Sequence, residues 1–185
     1  KTGGLSNISE KVAKNNLERI KEVIDKVDAK GVEIKIASYN GDIADGLQEI
    51  DTALGIDLII MAPRSNDVKE ELYLGYTSGK IIKQTNIPTL IVPKGTTLKP
   101  LRNILTAFKS GVINQKNVLE PWYKILKTFK PTSNLLLVKT ANYTEEDLII
   151  NDALKKHQDN LTVTENATTF QGVLEHFQAH NPDLL

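Results

Sequence analysis

The chain has 185 residues, enough for a sizeable core and for one or two domains. Its 23 basic and 23 acidic residues cancel, so charge implies no nucleic-acid or anionic-membrane partner. With no cysteine, disulfides, thiol catalysis and thiolate zinc sites are excluded, and a reducing, cytoplasmic setting is the expectation. No apolar run reaches the length of a membrane span.

Residues 1–9 read as loop, with Ser9 as the cap of a helix to about Ala29 that gathers Val12, Leu17, Ile20, Ile24 and Val27 on one face. Gly31 ends it. Residues 32–39 alternate apolar and polar and predict a strand. Asp42 is placed to cap a helix over 43–54, closed by Gly55. Leu58–Met61 and Thr89–Val92 are unbroken apolar or β-branched runs, suited to strands buried in a parallel sheet. A helix over 74–85 lies between them and Pro88 stops it, so the unit is a right-handed crossover with its ligand-facing edge at 62–75. Residues 93–100 (PKGTTLKP) read as a linker.

The pattern then restarts. Strands are expected at 104–108, 135–138 and 161–164, with helices at 117–129, at 145–157 behind Thr144, and from Thr168 or Thr169 to His180. Asn181-Pro182 breaks the last helix and 183–185 begins a strand. Gly46–Ile59 aligns without gaps on Gly172–Leu185, 126 positions later, with Gly, Glu, Ala, Asp and Leu recurring in register. So long a period means duplicated domains rather than a solenoid. Each copy reads as incomplete: the first from its second helix onward, the second as far as the start of its fourth strand. The expected organisation is a first-domain part at 1–95, a linker at 96–102 and a second-domain part at 103–185. Tandem packing is favoured over an arrangement in which strands 101–140 complete the first sheet.

Asp57-Leu-Ile-Ile-Met followed by Leu74-Gly75, Lys80-Ile-Ile and Ile87-Pro-Thr-Leu-Ile-Val resembles the universal stress protein family, and the repeat resembles its tandem members. The resemblance implies a doubly wound α/β parallel sheet, Rossmann-like and of the adenine nucleotide alpha hydrolase type. It also implies stress-linked, regulatory roles, frequent dimers, and ATP or AMP binding in some members. Binding members carry Gly, two residues, Gly, nine residues, then Gly with Ser or Thr, where backbone N–H groups and a helix N-terminus hold phosphate. This chain keeps the spacing with Ala62, Ser65, Gly75 and Tyr76, flanked by Arg64 and Thr77. Two glycines have gained side chains, Tyr76 replaces a small hydroxyl, and Pro63 removes a donor. The position of the adenine-side aspartate in the second copy holds Phe108 or Lys109, and a lysine cannot accept hydrogen bonds. The expected cofactor is therefore none, with ATP or AMP as the alternative.

Other constellations are read as structural. Arg64, Lys69, Lys80 and Lys83 form a solvated face neutralised by Asp67, Glu70 and Glu71. His176 and His180 share a helix face but lack a third ligand and the intervening glutamate of a zinc protease, so no metal is expected. No Gly-x-Ser-x-Gly elbow occurs and no catalytic residue is assigned. Trp122, Tyr123 and Phe129 read as packing aromatics. The Asn-x-Ser/Thr matches at Asn7, Asn142, Asn160 and Asn166 are read as chance. Residues Ile87, Thr89, Leu90, Ile91 and Val92 are expected to pair between domains or between two copies, since a sheet edge invites pairing. The sequence thus favours a non-enzymatic regulatory protein with a degenerate nucleotide loop. The alternatives are a nucleotide-binding member with weak or no hydrolysis, or a small-molecule sensor using the strand-end pocket.

Overall fold

The computed structural model describes residues 3–63, 75–113 and 117–185. The chain divides into two compact units, Lys1–Ile56 with Pro63–Ile87 and Asp57–Ala62 with Pro88–Leu185.

The first unit is helical. Helix α1 (Gly3–Ile24) begins before Ser9, so the expected N-terminal loop is a helix instead. It also stops short of Ala29: the N–H groups of Lys26 and Val27 reach back three residues, to Val23 and Ile24, which tightens the last turn and ends the helix. Lys30 and Gly31 then turn the chain with positive φ. Residues 32–39 adopt no regular secondary structure and form no ladder among the described residues, and Val32 and Ile34 are exposed. Alternation alone does not make a strand; it needs a neighbour to satisfy its backbone. Helix α2 (Ile43–Leu54) has the expected bounds, with the Asp42 carboxylate accepting from the Ala44 N–H at 3.0 Å and Gly55 closing it at φ 73°. It packs against α3 (Gly75–Gln84), and the Gln48 side chain donates to the Gln84 carbonyl.

The second unit carries two parallel sheets. Strands β1 (Ile59–Met61) and β2 (Thr89–Ile91) form one, in register Ile60 to Leu90. Strands β3 (Asn103–Phe108), β4 (Thr132–Lys139) and β5 (Asn160–Glu165) form the other in that order. Leu184 bridges in parallel to Ile104, on the side of β3 away from β4. The strand order is thus 3-2-1-4 in the second copy, winding outward in both directions from β3. With both neighbours of β3 accounted for, it does not complete the β1–β2 sheet.

Six consecutive residues of β4, Ser133 to Val138, are buried because helices cover both sheet faces. Leu135 and Leu137 pack with Ile150, Leu154 and Trp122 on one face; Leu136, Val138 and Leu105 pack with Val173 on the other. Trp122 comes from α4 (Glu120–Phe129), which takes Pro121 in its first turn, and Val173 from α6 (Thr169–His180). The expected single helix over 145–157 is instead a 3₁₀ turn at Glu145–Leu148 followed by α5 (Asp152–Lys155). The Asp147 carbonyl accepts from the Gly111 N–H, and the Gly111 carbonyl takes the Asn151 N–H, both at 2.9 Å. Those bonds hold Ile149 and Ile150 non-helical, and the Asn151 side chain caps α5 by accepting from Ala153.

The sequence repeat is a repeated structure. Asp42 and Thr168 are N-caps, α2 and α6 each have 12 residues, and Gly55 and Asn181 each end a helix with positive φ, all offset by 126. Gly46 and Gly172 are both buried, each with a neighbouring side chain within 3 Å of where a Cβ would stand.

Candidate functional site

The helix start at Gly75 is the part of the signature that the described residues resolve. Gly75 opens α3 with φ 72°, a conformation that favours glycine. Tyr76 follows with its ring 81% exposed, so the first helical turn carries a bulky solvent-facing phenol where binding members carry a small hydroxyl. Thr77 is exposed; Ser78 is the buried hydroxyl of that turn. Ala62 follows β1 in the second unit and is exposed. Arg64, Ser65 and Lys69 lie outside the described residues.

Lys80, one helical turn beyond Tyr76, forms an ion pair with Asp42, the N-cap of α2. The bond to Lys80 holds the Asp42 carboxyl below its ordinary range, with the Ala44 N–H adding to the effect, and Asp42 raises the Lys80 ammonium in turn. The Lys80 charge, expected on a solvated face, thus belongs to a half-buried pair at the N-cap of α2. Lys83 is exposed.

In the second copy the carboxyl end of β3 is occupied by protein. Phe108 packs against the Leu135–Leu137 cluster, and Lys109 is exposed. Gly111 is tied to residues 147–151 by the bonds described above, while the Asp147 carboxylate accepts from the N–H and hydroxyl of Thr144, at 3.0 and 2.8 Å. These bonds, with a further one from Ser110, hold the Asp147 carboxyl below its ordinary range. Beside this turn the Tyr143 hydroxyl is buried without a hydrogen-bond partner among the described residues, and burial raises its pKa. The Lys139 ammonium lies 5.4 Å from the Tyr143 ring centroid.

The remaining constellations are placed as follows. Trp122 donates its indole N–H to the Thr106 hydroxyl at 2.9 Å and meets Tyr123 in a tilted contact and His157 edge-on, so Trp122 and Tyr123 pack between elements, whereas Phe129, expected to pack with them, is exposed at the end of α4. His176 and His180 stack at 5.9 Å between centroids, and no group of three or more histidines and carboxylates gathers for a metal among the described residues. In the edge-pairing segment, Ile87 is buried and Thr89, Leu90, Ile91 and Val92 are half-buried. None of the helices among the described residues is long and apolar enough to cross a membrane.

Two features escaped sequence reasoning. Asn160 donates to Asn134 at 2.8 Å and Asn134 donates to Asn103, an amide ladder across the amino ends of three strands. Asp183 accepts from the backbone N–H groups of Arg102 and Asn103 at 2.9 and 3.0 Å, stapling the last residues to β3. The recurrence of Asp57 as Asp183 was the available signal for the staple; nothing in sequence spacing marks the asparagines as neighbours.

The strand order and two-faced helix cover define a doubly wound α/β protein of the Rossmann-like class. Residues 3–93 match the model of the universal stress protein family. The fold resembles that of a universal stress protein from Archaeoglobus fulgidus DSM 4304, with a TM-score of 0.70 and 16% identity, covering 98% of this chain and 69% of that one. No curated protein matches.

Proposed function

We propose that this universal-stress-protein-like chain is a non-enzymatic stress-response or regulatory protein of the cytoplasm, acting through protein contacts rather than nucleotide turnover. The observation that carries the reading is the start of α3. Tyr76 presents an exposed ring in the turn where phosphate would approach, and Lys80 is spent on Asp42. Ala62 and Ser65 further fill the glycine positions of the phosphate loop. In the second copy, Lys109 offers no acceptor for an adenine ring. The reading includes pairing through residues 87–92 into a homodimer or between domains.

Isothermal titration with ATP and with AMP tests this. The expected result is no heat of binding at millimolar nucleotide; micromolar binding would overturn it. A small-molecule sensor is the second reading. It draws on the Tyr143 hydroxyl, buried without a hydrogen-bond partner among the described residues, a polar group that a ligand atom could satisfy. A ligand of that kind would co-purify and would be lost in Tyr143→Phe.

A further inference from the structure

Strand β5 ends its sheet. Its neighbour β4 is paired on both sides, and no ladder forms on the outer side of β5 among the described residues. Leu184 stands at the opposite end of the strand order, so a strand added beyond it leaves β5 at the edge. The Asn166 N–H donates to the Lys139 carbonyl at 3.0 Å. Alternate residues of a strand direct their backbone groups to opposite sides, so Leu161, Val163 and Glu165 serve the outer edge. The usual guards of an edge are missing: Asn160–Glu165 holds no lysine, proline or glycine, and its centre is Thr-Val-Thr.

The face beside this edge is also incompletely covered. Leu161 and Val163 lie in register with Leu135 and Leu137, on the face that Trp122 of α4 and Leu154 of α5 cover, yet they are 39% and 44% exposed. Both covering elements belong to the second copy. The cover falls short because α5 is a single turn of 4 residues behind a 3₁₀ turn. In the first copy the corresponding segment, residues 34–39, is preceded by the 22 residues of α1.

We propose that the outer edge of β5 pairs antiparallel with the same edge of a second copy, about a twofold axis at Val163. This goes beyond the pairing proposed for residues 87–92, which involves another strand. Charge selects the second copy. Lys156 at the amino end of β5 and Glu165 at its carboxyl end are exposed, and neither has an ion pair among the described residues. The Asp159 carboxylate at the amino end is turned onto the Ser133 N–H at 2.7 Å. An antiparallel copy therefore brings opposite charges together at each end, whereas a parallel one would set Glu165 against Glu165. Charge also selects the register. With Val163 opposite Val163, Leu161 stands opposite Glu165 and Thr162 opposite Thr164, and every outward N–H and carbonyl of the edge finds a partner. A slip to Leu161 opposite Val163 would set Glu165 against Asp159.

Amide hydrogen exchange of the full 185-residue chain tests the pairing. Exchange at Val163 is expected to slow about tenfold with rising protein concentration, and Val163→Lys to weaken the association at least about tenfold, with Leu136 still protected as the sign of an intact fold. Exchange at Val163 that ignores concentration would overturn the proposal. So would concentration-dependent slowing confined to residues 87–92, which would assign the association to the other edge. Because the chain has no cysteine, single thiols report the register. Val163→Cys would bring two Cα atoms within about 5.5 Å, inside disulfide range, and should give a covalent dimer under mild oxidation. Leu161→Cys would hold them about 14 Å apart and should not. No cross-link at Val163→Cys, or equal cross-linking by both variants, would overturn the proposal.

Discussion

At Gly172, an added Cβ would lie 2.7 and 3.0 Å from the two Val138 methyl groups, inside a fully buried strand that cannot retreat. At Gly46, 126 positions earlier, it would meet the base of the Tyr39 ring at 2.8 Å, but that residue is 44% exposed and tethered only by a 3.3 Å bond from its hydroxyl to Glu49, so it yields where Val138 cannot. The same substitution therefore has opposite consequences in the two copies. Gly172→Ala is expected to lower stability by about 1–2 kcal/mol in urea denaturation, because overpacking outweighs the gain in helix propensity. Gly46→Ala is expected to be neutral or to stabilise by up to about 1 kcal/mol. Asp183 makes a separate prediction. Its carboxyl is held below the ordinary value in the folded chain, so its stabilisation is complete above about pH 4 and is lost as pH falls through the folded value. Between pH 5 and pH 3 the urea midpoint of Asp183→Asn should fall less than that of the parent chain. The Asp42 and Asp147 carboxyls shift in the same direction and contribute acid sensitivity that the variant retains.

Elements were legible in the sequence where local chemistry and packing agree. Helix α2 matches its expected bounds because Asp42 caps one end and Gly55 the other. Helix α6 does so because Thr168 and Asn181 play those parts. The strand reading of residues 32–39 failed because hydrogen-bond partners, unlike alternation, are not written into a segment. The single helix over 145–157 failed because its break is imposed from a distance: Gly111, nearly forty positions earlier, takes up the backbone groups of Asp147 and Asn151. The candidate site was legible as a pattern of missing glycines, but its electrostatics were not. Lys80 and Asp42 lie 38 positions apart, and only the packing of α3 on α2 joins them. Among the strands, β4 holds both faces of its sheet together. Leu136→Ala, at a fully buried position in its centre, should cost about 2–5 kcal/mol in urea denaturation.

On the scale of the whole molecule, the 126-residue sequence repeat coincides with two 12-residue helices with matching caps, and the chain carries two parallel sheets. The sheets use their equivalent Asp-Leu elements differently. Asp183-Leu184 is bonded to β3, whereas the Asp57 carboxylate is paired with Lys124. The proposed reading rests on an exposed tyrosine in the first turn of α3 and on a lysine paired with Asp42. Amide chemical shifts of Gly75, Tyr76 and Thr77 during titration with Mg-ATP test this account most directly, because they report from the helix start where phosphate would sit. The account predicts no saturable shift up to millimolar ATP; saturable shifts at those three amides with a micromolar midpoint would contradict it.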